Sequence, residues 1–561
     1  MKYLFLSLSF LIATPAFTNA QTYSTDTDQL YQYSETITSD FLKKHLSVLA
    51  HDSLQGRDTG TPGLQKAANY LADFYESIGL QPKGGNGTYF QPFELDAMVT
   101  DSLVYKTYRT EGADTSLVDR SVEAENASTQ FVRGIGGADP IEGEIIFGGF
   151  GVDDSLNNVR NLEGDAIENN WVLIFEQIPY VVEDDTLVST NYTGRDRLIT
   201  LIRDYGARGI LLISDQTEAE FRKMAEMNSQ TISIPEDLKL AYRNNRQFSY
   251  TPPYAYTYIS PKFAAKILGV GGEQGLQELR DSTIENLQDF RAQKTPYYLG
   301  YTAYEGEKTI VTNNVLAYVE GADPELKDEV VVIMGHYDHV GFGTPNEAGD
   351  YIYNGADDNG SGTAGLMSIA NAFHHAAKDG YKPKRSILFL HVSAEEAGLL
   401  GSRYYSDHPT IPIEQTVAAL NTDMISRSDP QHIEAGNTDY VYLIGGEIIS
   451  SQLDSLVQDA NQGSVNMTLD RGYNDLDDPN QFYRRSDHWN FGRLSVPFVF
   501  FFTGVHEDYH QPSDHIERVD FEKYPRVARL IYTSAVNVAN FEGRPEVDNQ
   551  EFIEITSELP R

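Results

Sequence analysis

Four largely apolar runs mark the second half of the chain: residues 330–334 (VVVIM), 386–392 (SILFLHV), 416–420 (TVAAL) and 496–502 (VPFVFFF). Runs of this kind, without polar alternation, read as strands buried on both faces. Residues 309–319 read as a further strand, leading through a turn near Gly321 and Pro324 into the first run. The segments between them carry helical spacing. Residues 361–378 put Leu366, Ile369, Ala370 and Phe373 on one face, and residues 448–458 suggest another helix. Buried strands alternating with helices predict an α/β fold, a mostly parallel or mixed sheet flanked by helices.

The first half has two textures. Residues 39–82 read as helices, the second of them stopped by Gly79. Between these helices lies HDSLQGRDTGTPG, a glycine-rich loop in which Arg57 reads as a surface residue tied to a local carboxylate. From about residue 100, short β-like runs (144–147, 171–175) alternate with Asp- and Asn-rich loops. An amphipathic helix at 195–205 then leads through a glycine turn to a strand at 210–213. No catalytic constellation shows there, so this stretch reads as an inserted accessory α/β unit. The expected partition is a leader at 1–20, a main domain in two parts (21–99 and 296–545), an insertion at 100–295 and a tail at 546–561.

Composition narrows the partners. Acidic residues outnumber basic ones, 82 to 43, for a formal charge of -39, which repels nucleic acid. The absence of cysteine removes disulfides, thiolate zinc sites and cysteine nucleophiles, and leaves only nitrogen and oxygen ligands for a metal. Lys2, the short apolar stretch after it and Thr18-Asn19-Ala20 before Gln21 read as an export signal. No other segment is apolar enough to span a bilayer. The expectation is an exported protein, periplasmic or extracellular, with no membrane span.

Against that background the polar residues after the strands stand out. His336, the pair Glu395-Glu396, Asp423 and His510 each follow a different predicted strand, and loops at that sheet edge form the ligand crevice of open α/β folds. His336 and Asp338, two apart, project to one face, as a carboxylate needs to approach an imidazole or share a metal with it. Asp358, in the permissive loop NGADDNGSG, is the candidate bridge between two ions. Of Glu395 and Glu396, one carboxylate ligates while the other stays free to take a proton from water.

The motifs GHYDH (335–339), NGADDNGSG (354–362), SAEEAGLLGS (393–402), NTDMI (421–425), RSDHWNF (485–491) and FFTGVHEDYHQPSDH (501–515) resemble those of a known family. It is the co-catalytic zinc exopeptidase family of bacterial leucyl aminopeptidases, aminopeptidase Y and glutamate carboxypeptidase II. The opening LQGRDTGTPG resembles it too, and the insertion looks like a protease-associated domain. The resemblance implies two zinc ions: His336 with Asp423 on one, Glu396 with His510 on the other, Asp358 and a water or hydroxide between them. It also implies Glu395 as general base, Asp338 orienting His336, and Tyr509 assisting the oxyanion. Asp487 and His488 match a motif near the ligands or the substrate pocket. Family position favours His510 over His506, and His336 over His339, which is left a bystander. His374 and His375 read as helix-surface residues, His391 as a strand residue, and Asp357 as a hydrogen-bond acceptor that steadies its loop.

The function expected from these residues is a dizinc aminopeptidase acting on peptides. The alternatives are a carboxypeptidase, which needs arginine in its pocket; a glutaminyl-cyclase-like transferase, which holds one zinc; and a non-catalytic receptor-like protein, which lacks ligands or base.

Overall fold

Two helices near the start of the chain begin and end on residues suited to it. In α1 (Ser39–Leu49) the Thr38 hydroxyl accepts the Phe41 N–H, and Leu42, Leu46 and Leu49 are buried. In α2 (Pro62–Ser77) Pro62 occupies the first turn and the Thr61 hydroxyl accepts from Leu64. Gly79 follows with a left-handed φ of 73°. It donates to Glu76 O while Leu80 donates to Tyr75 O, the paired bonds of a Schellman turn. This computed structural model describes residues 23–557 except 112–113, 124–129, 136–139, 164–165, 183–184, 232–233, 244–253, 344–345 and 347–348. The leader expected at 1–20 lies outside the described residues.

β1 (Phe90–Glu111) leaves the helical region and enters the insertion. There β2 (Phe131–Ile135) is antiparallel to the last of four parallel strands: β3 (Ile141–Phe147), β4 (Trp171–Phe175), β5 (Gly209–Ile213) and β6 (Ala255–Ile259). Trp171, Leu173, Leu211 and Phe263 belong to a core of its own. The helix expected at 195–205 is Gly194–Ile199, continued by a wider-wound turn over Thr200–Asp204. β7 (Gln293–Val319) returns along β1, paired from Tyr297–Arg109 to Val315–Phe90. The bounds expected at 100 and 295 thus fall inside two long strands, and one sheet of 16 strands runs through both units.

Beyond β7 come β8 (Val330–His336), β9 (Ser386–Val392), β10 (Thr416–Thr422), β11 (Tyr440–Gly445) and β12 (Phe498–Phe502), in the order β11–β12–β10–β8–β9–β7. The central four are parallel, while β7 and β11 run antiparallel beside them, so the sheet is mixed. Val331 and Ile333 of β8 join the core that includes residues of α3 (Gly362–Lys378) and α4 (Lys523–Asn540). Val330, Val332 and Met334 join Tyr405, Phe491 and Phe498 on the other face. Both faces are covered, which is why the run does not alternate. The loops after His336, Val392, Thr422 and Phe502 share one sheet edge. Among the described residues no helix is long and apolar enough to cross a membrane.

Candidate metal centre

His336 closes β8 with its ring buried. Its Nε2 lies 3.4 Å from Asp358 Oδ1 and 3.4 Å from Asp423 Oδ1. Its Nδ1 is held by the backbone carbonyl of Asp338 at 3.2 Å, while the Asp338 carboxylate stands 3.8 Å away. That carboxylate, expected to orient His336, accepts hydrogen bonds elsewhere, from the N–H groups of Glu395 (3.2 Å) and Glu396 (3.3 Å). Asp338 therefore couples the end of β8 to the turn after β9.

Asp358 lies between β8 and α3, in a loop pinned from the far end of the chain. Asp514 Oδ2 accepts the N–H groups of Asp357 (2.9 Å) and Asp358 (3.1 Å). With its backbone so fixed, Asp358 turns Oδ1 toward His336 and Oδ2 toward His510 Nε2, 3.0 Å away. Asp357 points the other way, accepting from Ser426 N–H and Oγ and lying 3.1 Å from His506 Nε2. His506 is thereby engaged outside the cluster, and Asp357 has the loop-steadying contacts expected of it.

Ala394, Met424 and His510 all have left-handed φ, at 58°, 51° and 51°. Each is at or beside a cluster residue, and non-glycine residues in that region concentrate where function holds a side chain in place. Two donor sets result, His336 with Glu395 and Asp423, and His339 with Asp358, Glu396 and His510; within each the ligand atoms lie within 4.8 Å of one another. The six residues expected from strand ends and the permissive loop meet here. His339, read as a bystander, is here as well.

The donors suit borderline divalent cations, being imidazoles and carboxylates without sulfur. His510 Nε2 lies 3.1 Å from Glu396 Oε2 as well as 3.0 Å from Asp358, yet makes hydrogen-bond geometry with neither. Asp423 Oδ1 is also buried without a hydrogen bond. Such convergence without bonding fits a centre built to surround a cation. The local field agrees: burial opposes charge on His510, but Asp358 and Glu396 push it up to about 10. Burial, reinforced by Glu396 and Asp487 against the pull of His336, holds the Glu395 carboxyl well above the usual range.

Arg57 is not on the surface. The loop carries it inward through left-handed Gln55, Gly56 and Arg57, leaving it 1% exposed. Its guanidinium donates to the carbonyls of Leu49 (2.5 Å), Asn354 (2.7 Å), Tyr337 (2.9 Å) and Gly355 (3.0 Å). These carbonyls belong to the end of α1, to the loop after β8 and to the loop that carries Asp358, so the expected local carboxylate partner gives way to a strut between three segments. Asp514 was missed too; it lies in the quoted motif YHQPSDH without a role there. Asp487 and His488 are fully buried behind the cluster, where His488 Nδ1 lies 3.2 Å from Asn421.

A cleft opens onto the cluster. Met424, Phe482, Phe500, Phe502 and Val505 give it an apolar wall, and Tyr509 and Arg485 also line it. Tyr509 stacks on His510 with centroids 4.0 Å apart.

Residues 314–535 match Peptidase family M28. The chain is 26% identical over 225 residues to Aminopeptidase YwaD of Bacillus subtilis, covering 39% of this chain and 43% of that protein. It is 25% identical over 339 residues to a probable leucine aminopeptidase of Arthroderma otae, covering 55% of this chain and 89% of that one. Among solved structures, a zinc aminopeptidase from Bacillus subtilis aligns over 89% of this chain and 94% of its own, at 16% identity and a TM-score of 0.47.

Proposed function

Taking residues 314–535 to be a peptidase family M28 domain, we propose that this protein is a zinc-dependent exopeptidase, an aminopeptidase with two co-catalytic ions. His336 and Asp423 would hold one ion and Glu396 and His510 the other. The observation that carries the reading is the division of Asp358, one oxygen toward His336 and the other toward His510. Bound zinc would supply Lewis acidity toward the scissile carbonyl and make water a nucleophile near neutral pH.

The chain's own residues do the rest. Glu395 lines the cleft and takes the proton of the attacking water, then passes it to the leaving amine. Asp338 holds the Glu395 and Glu396 N–H groups, so the base and its neighbouring ligand keep fixed places. Tyr509 lines the cleft, where its hydroxyl would assist the oxyanion. The apolar wall suits an apolar substrate side chain.

Glu395→Gln is expected to lower kcat on aminoacyl chromogenic substrates by about 10²–10⁴ while metal content stays at two per chain. Strong chelation should abolish the activity and leave the fold intact. Full activity after either treatment refutes the mechanism.

A second reading, a carboxypeptidase, is favoured by one residue. Arg485 is the single arginine or lysine among the described lining residues, and its guanidinium sits 4.9 Å from the Phe482 ring. Peptides blocked at one end or the other separate the two: cleavage of N-blocked but not C-amidated peptides would replace the aminopeptidase by the carboxypeptidase. Export to the periplasm or medium belongs to the same proposal, and recovery of mature protein beginning near Gln21 in those fractions tests it.

A further inference from the structure

His339 sits in the cluster, and its surroundings define what it can do there. The residue is 0% exposed. Its backbone N–H donates to Arg57 O at 3.1 Å, and its ring lies so close to Gly355 that a Cβ there would be 2.5 Å from Cδ2. The ring is therefore clamped. Nδ1 reaches Glu396 Oε1 at 2.8 Å, while Asp358 Oδ2 is 3.8 Å away. Nε2 is buried and has no hydrogen-bond partner.

An ionised carboxylate can only accept, so His339 Nδ1 donates to Glu396 Oε1. Glu396 is then engaged at three points: its N–H by Asp338, Oε1 by His339, and Oε2 facing His510 at 3.1 Å. With Oε1 committed to a hydrogen bond, Oε2 is the oxygen left for an ion shared with His510.

We propose that His339 is a positioning residue. It holds Glu396 by Oε1 so that a single oxygen, Oε2, is offered to the ion bound with His510, and it is not itself a ligand. The inference rests on the two-ion reading above. Groups that orient ligands in this way typically change metal affinity by about 10–100-fold when removed.

The test uses the purified full chain and zinc alone, with affinities from competition against a chromogenic chelator. His339→Leu removes the donor at a volume close to that of histidine, and His339→Asn keeps a side-chain amide that can donate but offers no imidazole ligand. The Leu variant is expected to weaken one of two zinc sites by about 10–100-fold and leave the other unchanged. The Asn variant should recover to within about threefold of the parent if a hydrogen bond is all that is needed. His339→Ala replaces the Leu variant should that fail to fold, judged by thermal unfolding without metal. Unchanged affinity in Leu or Ala overturns the proposal in favour of a bystander. Loss of one zinc in Asn as in Leu overturns it in favour of direct ligation. A parent chain that binds well below two zinc ions refutes the two-ion reading itself, a result separate from either outcome for His339.

Discussion

Arg57 directs all its observed hydrogen bonds to backbone carbonyls, on three segments that meet around the cluster. Burial alone lowers its affinity for a proton, yet Asp358 and Asp338 lie close enough to favour the charge, and the balance leaves it at about 10. Arg57→Met removes the donor to four buried carbonyls, of which Gly355 O keeps the Gly360 N–H, and each acceptor left unpaired costs about 1–3 kcal/mol. Urea unfolding of the metal-free chain should show a loss of about 3 kcal/mol or more, with Arg57→Lys in between; a loss under about 1 kcal/mol would refute the strut. Such residues explain what was legible in the sequence at this scale. His336, Glu395, Glu396, Asp423 and His510 could be read because each follows an apolar run. The partners of Arg57 could not, because carbonyl oxygens look alike at every residue. The role of His339 was hidden because Glu396 is 57 positions away.

Strand β8 shows how tightly an element can constrain the centre it ends on. Gly335 faces β10, and a Cβ added there would stand 2.6 Å from Thr422 O and 2.8 Å from Thr422 Oγ1. Contacts that short force β8 and β10 apart. The two strands end on His336 and, one residue later, Asp423, the proposed ligands of one ion. Gly335→Ala is therefore expected to cost about 1–3 kcal/mol of stability and to weaken zinc binding at that position selectively. Unaltered zinc affinity with a normal thermal transition would refute the coupling. The apolar runs gave these central strands away, and Gly79 gave the end of α2. The ribbon of β1 and β7 was half hidden: β7 was read as starting at 309, whereas it starts at Gln293. Its middle, around residues 304–310, is exposed or half-exposed on both faces, so no pattern of burial reaches the sequence there.

Across the whole molecule, charge and burial oppose each other as pH falls. Acidification toward the sequence pI of about 4.6 discharges a chain of net charge -39 and relieves its self-repulsion. His391, beside the Tyr75 hydroxyl at 2.6 Å, and His488 work the other way, since burial lowers both to about 3 from an ordinary 6.5. Between those values the unfolded chain binds protons that the folded chain refuses. Their contribution is fully present above about pH 6.5 and is lost progressively as pH falls toward 3. The melting temperature should drop across this interval, and His391→Phe should flatten the drop; an unchanged slope would remove His391 from the account. The insertion was legible as a separate texture, but its attachment was not. At about 3.4 Å per residue, β7 has a contour of about 90 Å and no linker interrupts it. At one end it pairs with β3 of the insertion, and at the other Val315–Val319 pair with β9, the strand that runs on to Glu395 and Glu396. The insertion is thus mounted like the arm of a lever rather than hung on a tether. A load on the insertion would arrive, through hydrogen bonds and not through loose chain, at the strand that carries the proposed base.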